Sequence, residues 1–179
     1  MRCLTDSGKI TTDIDSLRSE IRDKSVRVID VRREDDYKQD HIPTAVNLPL
    51  ANLLSDDSPE SVLKLMNNMG IDNETSVVVY DDTFGALASR VAWTFEYLGH
   101  SDVTLLETTY SNWKSLELES DSKIPEIQHK EHTLNLQPNI LATADYLQSA
   151  KERNDVILID NRERLNFLEQ HIVCKIVKF

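Results

Sequence analysis

Ser76-Val77-Val78-Val79-Tyr80-Asp81-Asp82 is the stretch that decides the fold class. From Ser76 to Tyr80 the apolar side chains run on without polar alternation, so a strand here needs cover on both faces. Its β-branched residues also favour an extended backbone. Before it, residues 59–69 carry Val62, Leu65, Met66 and Met69 at helical spacing, with Gly70 as the stop. After it, Ala86 to Leu98 sets Leu87, Val91, Phe95 and Leu98 on one helical face ahead of Gly99. Farther out, Val26–Val31 and Val103–Leu106 are apolar runs of strand length, and Ile14, Leu17 and Ile21 mark another helix. This alternation predicts an α/β fold, a central parallel sheet with helices on both faces, and Val77–Tyr80 in a central strand.

The chain also repeats itself. Val28-Ile29-Asp30-Val31-Arg32 returns as Leu158-Ile159-Asp160-Asn161-Arg162, 130 residues later. Without a gap, Asp15, Leu17, Val26, Tyr37, His41 and Ile42 match Asp145, Leu147, Val156, Phe167, His171 and Ile172. A helix, a strand and a loop recurring at one offset point to a duplicated unit. The expected organisation is a first copy over residues 1–119, a linker over 120–139, and the start of a second copy over 140–179. The linker assignment rests on polar composition, Pro125, Pro138 and the lack of a period. The second copy is expected to stop short of its sheet. That would leave Val156–Ile159 exposed or borrowed by another surface, and would favour self-association.

The chain has 179 residues and a formal net charge of −11. An acidic field of this size argues against nucleic acid or anionic membrane as partner. It would also repel a small anion unless a local basic site intervened. No stretch is long and apolar enough for a membrane span, and the first twenty residues hold no signal-like apolar region, so a cytoplasmic protein is expected. Cys3 and Cys174 form neither a CxxC pair nor a zinc-spaced set.

Ile29-Asp30-Val31-Arg32, then Tyr37 and His41-Ile42-Pro43-Thr44-Ala45-Val46-Asn47, resembles the rhodanese signature. That signature is a strand, Asp-x-Arg, an aromatic, and Gly-His-Ile-Pro-Gly-Ala-x-Asn. Ala88-Ser89-Arg90-Val91-Ala92-Trp93, Leu98-Gly99-His100 and Trp113 follow in the same order. The ordered set, over roughly residues 10–117, is similar to the first domain of tandem thiosulfate and 3-mercaptopyruvate sulfurtransferases. The resemblance implies a three-layer rhodanese fold, no cofactor, and a small sulfur donor as substrate only where both copies are intact. It also implies that Asp81 stands where active copies carry the nucleophilic cysteine. Asp40 replaces a usual Gly, and Thr108-Thr109 replaces a usual Gly-Gly pair.

A sulfur carrier needs a thiolate on a tight loop between strand and helix, where backbone N–H groups stabilise negative charge. The loop Asp81, Asp82, Thr83, Phe84, Gly85, Ala86, Leu87 has that placement. A carboxylate cannot carry transferable sulfur, but it can accept the loop's N–H bonds as a cap. Sulfur transfer is therefore expected from the family and not from this chain. The alternative is a non-enzymatic rhodanese-like binding or regulatory module. Asp81-Asp82 lacks the Asp-x-Asp spacing of a metal-dependent phosphotransferase. Asp30 and Asp160 are read as turn carboxylates, with Arg32 and Arg162 beside them. His41 is read as a loop anchor, Trp93 and Trp113 as packing anchors, and His129 and His132 as solvated.

Overall fold

The computed structural model describes residues 9–151, 153–159 and 175–176. They fall in two compact units, one within Ser7–Gln137 and the other containing Pro138–Phe179.

The first unit is built on five parallel strands in the order β1-β5-β4-β2-β3. These are β1 (Thr11–Thr12), β2 (Val26–Asp30), β3 (Val46–Asn47), β4 (Ser76–Tyr80) and β5 (Val103–Leu106). The β-branched run is β4, at the centre, with Ile29 opposite Val79 and Val78 opposite Thr104. Alternate residues of β4 serve opposite faces. Val77 and Val79 join Ile29 under α3 (Leu50–Ser55), α4 (Pro59–Asn68) and α5 (Ala88–Tyr97), through Leu53, Val62, Met66, Val91 and Phe95. Val78 and Tyr80 join Val28 under α1 (Ile14–Asp23), α2 (Glu34–Gln39) and α6 (Tyr110–Ser115), through Leu17, Tyr37, Tyr110 and Trp113. The expected three-layer α/β architecture is therefore present. Helix α5 begins at Ala88 rather than Ala86, because the chain before it is still turning around Asp81. The short elements β1, β3, α2, α3 and α6 had no sequence signal.

Residues 119–137 contain no helix or strand, yet they are laid against the first unit. His41 and Asp121 exchange backbone hydrogen bonds. Asn67 accepts from Lys130 N and His132 N, and Asn73 bonds Thr133 in both directions. Asn135 N and Gln137 N donate to the carbonyls of Leu98 and Tyr97. Ile127 and Leu134 pack on the apolar core.

In the second unit, α7 (Ala144–Ala150) starts 130 residues after α1, and Thr143 caps it as Asp13 caps α1. β6 (Leu158–Ile159) lies at the repeat position of β2, but it pairs antiparallel with β7 (Lys175–Ile176). Ile157, Leu158 and Ile159 are exposed. No helix among the described residues is long and apolar enough to cross a membrane.

Candidate functional site

The site lies beyond the carboxyl end of β4, where an open parallel sheet presents its loops. Asp81 follows β4 and is 2 % exposed. Its Oδ1 accepts from the N–H groups of Thr83 and Gly85, both at 2.8 Å. Its Oδ2 accepts from Leu87 N at 2.8 Å, Ala88 N at 3.0 Å and the Thr83 hydroxyl at 2.8 Å. The carboxylate thus points at the backbone of residues 83–88, as its place between strand and helix predicts. Burial by itself would raise the Asp81 pKa. The N–H groups of Ala88, Gly85 and Thr83 outweigh burial and hold it below the ordinary carboxylate value.

The loop closes through two successive left-handed residues, Phe84 at φ 54° and Gly85 at φ 83°. Glycine adopts that conformation freely, whereas a phenylalanine pays for it. Phe84 stands 91 % exposed at the loop's tip. Ala86 N returns to Thr83 O, and Leu87 caps the start of α5. Asp82 is turned outward. It accepts from Ser111 N at 2.7 Å and Ser111 Oγ at 2.6 Å, tying the loop to α6.

Beside the loop is an open cleft of about 520 Å³, lined among others by Arg32, Arg33, Thr83, Tyr110 and Lys114. Its cations are mostly committed. Arg32 grips the fully buried Asp30 through Nε at 3.0 Å and Nη2 at 2.6 Å. Its guanidinium lies 3.6 Å from the Tyr110 ring centroid. Burial lowers the Arg32 pKa, but the hydrogen bond and charge of Asp30 more than restore it. Tyr80 Oη also donates to Asp30, at 2.5 Å, and accepts from Ile42 N. Lys114 pairs with Asp40 at 2.5 Å. Asp30 and Arg32 therefore act as a buried clasp between β2, β4 and the following loop. Sequence reasoning missed Arg33, Tyr110 and Lys114 as cleft residues.

The other sequence-predicted residues lie elsewhere. His41 is buried, stacked on Tyr37, with Nδ1 2.8 Å from Tyr37 O and Nε2 3.3 Å from Lys123 O. It anchors its loop. Trp113 is buried and donates to Glu119 O, while half-buried Trp93 stacks on Tyr97. Neither tryptophan lines the cleft. Asp160 and Arg162 lie outside the described residues, as do Cys3 and Cys174. His129 is exposed and 2.9 Å from Glu131. His132, expected to be solvated, is 5 % exposed, because residues 130–135 are pinned to the first unit. Among the described residues, no three His, Cys, Asp or Glu side chains converge as a metal site.

The rhodanese-like domain model matches residues 13–116. The chain belongs to the rhodanese-like family. It is 31% identical over 146 residues to a thiosulfate sulfurtransferase of Corynebacterium glutamicum, covering 75% of this chain and 48% of that protein. It is 28% identical over 174 residues to the thiosulfate sulfurtransferase of Mus musculus, covering 86% and 58%. The chain thus spans about half the length of these curated relatives. A crystal structure of a 3-mercaptopyruvate sulfotransferase from Escherichia coli superposes with a TM-score of 0.79 at 22% identity, covering 89% of this chain and 68% of that one. At that identity the likeness shows the rhodanese fold.

Proposed function

We propose that residues 1–119 are the non-catalytic copy of a thiosulfate or 3-mercaptopyruvate type sulfurtransferase, followed by residues of a second copy, and that the first copy transfers no sulfur itself. The observation that carries this reading is the Asp81 carboxylate inside the N–H-lined loop. In the transfer reaction a cysteine thiolate attacks the outer sulfur of thiosulfate, and sulfite leaves with the bonding pair. The resulting persulfide then yields its terminal sulfur to cyanide or a thiol. The loop stabilises a negative charge, as that thiolate would require, but here the charge is a carboxylate that cannot take up sulfur. The 130-residue repeat and the match to the mouse enzyme, which runs past the first unit, support the tandem arrangement. In an intact tandem protein the second copy would take the anionic donor.

The test is sulfur transfer from thiosulfate to cyanide and from 3-mercaptopyruvate to a thiol, with the protein before and after alkylation of Cys3 and Cys174. Background rates are expected throughout. Turnover that survives alkylation would place the active site elsewhere. Asp81→Cys should gain at most weak activity, because Asp82 adds charge of the wrong sign and the loop from 81 to 87 supplies no Arg or Lys.

A further inference from the structure

His100 and His132 form a buried pair that belongs to two different parts of the first unit. His100 follows Gly99 at the end of α5, and His132 sits in the irregular strap of residues 119–137. They are 1 % and 5 % exposed, and their ring centroids are 5.4 Å apart. Neither ring nitrogen of His100 completes a well-formed hydrogen bond, nor does Nδ1 of His132, although the carbonyls of Asp102 and Thr75 lie near His100 and that of Asp72 near His132. Asn73 Nδ2, 3.4 Å from His132 Nε2, is a donor, so it is satisfied by a neutral imidazole and opposed by a protonated one. The edge of the His100 ring meets Phe95, and Leu134 packs nearby on the core.

We propose that this pair is a pH-operated latch: the strap lies closed over the first unit while both imidazoles are neutral, and protonation in mildly acidic solution releases it. Two buried cations with ring centroids 5.4 Å apart repel each other and lose hydration together. The charged groups facing the pair do not compensate. The Asp72 carbonyl and then its carboxylate favour a proton on His132, but the carboxylate is already paired with Lys130 at 2.9 Å. Asp102 faces His100 and is engaged by the Ser76 hydroxyl. The carbonyl groups of Asp102 and Thr75 favour a proton on His100, while His132 itself opposes it. Burial dominates, and it pushes both imidazoles below the ordinary value of 6.5.

A histidine with a depressed folded pKa contributes stability that is complete above about pH 6.5 and is lost as the pH falls towards the folded value. The strap is also held by Ile127 and Leu134 on the core and by the Lys130–Asp72 ion pair. Asn67 and Asn73 each add two hydrogen bonds to its backbone, and the Leu98 and Tyr97 carbonyls one apiece, each bond stabilising by about 1 kcal/mol. None of these contacts belongs to the strand pairing of the sheet, so releasing the strap is a local opening.

Hydrogen exchange on the full chain at about pH 7.5 and about pH 5, corrected for intrinsic rates, tests this directly. The amides of Lys130, His132, Thr133 and Asn135 should lose protection at least about tenfold more than those of β4. His132→Phe keeps a ring in the space and removes one of the two protonation sites, so it should reduce the loss of strap protection at about pH 5. An NMR titration of the unmodified protein requires no variant to fold. Both imidazoles should titrate below 6.5, in step with the loss of strap protection. Titration at or above 6.5, strap protection that is unchanged at about pH 5, or equal opening in folded His132→Phe would each overturn the latch.

Discussion

Asp81 is a buried charge held without a cation. Four backbone N–H groups and one hydroxyl stabilise it, and in return its carboxylate fixes the loop that starts α5. Asp81→Ala would leave several of those donors unpaired beneath the surface. A loss of about 3 kcal/mol is expected in urea unfolding at neutral pH. Because the folded pKa lies below the usual 3.8, this stabilisation is complete above about pH 4 and fades as the pH falls through the folded value. The gap between wild type and Asp81→Ala should therefore narrow at about pH 3. A gap that is constant with pH would mean that the carboxylate's charge is not what the N–H groups reward. Thr44 poses the opposite case. It is exposed, at φ 66°, and occupies the position where the signature it resembles has glycine. A β-branched residue is strained there, so Thr44→Gly should stabilise the fold by about 1 kcal/mol. A lower melting temperature for the glycine variant would contradict this.

At the scale of elements, Gly99 joins two requirements. It ends α5 at φ 97°, and a Cβ at this position would fall 2.4 Å from Asn135 O in the strap. Gly99→Ala should cost about 2–3 kcal/mol and should free residues 133–137 to proteolysis. An alanine variant as stable and as resistant as wild type would show that the strap yields without cost. The same region shows what could be read in advance. β4, β2, α4 and α5 were legible because each spans enough residues to display a full period or an unbroken apolar run. The two-residue strands β1 and β3 and the six-residue helices α2, α3 and α6 show no such period and are defined by their neighbours. The Asp81 cradle was legible, since a carboxylate between a buried strand and a helix has few other partners. The cleft was not, because Arg33, Tyr110 and Lys114 meet Thr83 only after parallel β-strands bring their carboxyl ends together. The burial of His132 had no signal either, because irregular chain has no period and its burial depends wholly on the surface beneath it.

At the scale of the whole molecule, surface charge and exposed apolar strand oppose each other. Ile157, Leu158 and Ile159 are 61%, 53% and 41% exposed, and among the described residues β6 pairs only with β7. A two-stranded ribbon is marginal by itself, and an exposed apolar strand is a template for another chain. A net charge of −11 works against such contact by long-range repulsion. That repulsion is screened over about 10 Å at ~0.1 M salt and about 3 Å at ~1 M, whereas apolar contact is not weakened by salt. Self-association is therefore expected to strengthen as salt is added, the reverse of an assembly held by ion pairs. Sedimentation velocity across a protein concentration series, at low and at high salt, would measure it. Leu158→Lys puts a charge in the middle of the exposed run and should keep the protein monomeric in both conditions, with the unfolding of the first unit unchanged. A wild-type protein that remains monomeric at ~0.1 mM in high salt, or a Leu158→Lys variant that associates as strongly as wild type, would rule out this strand as the contact.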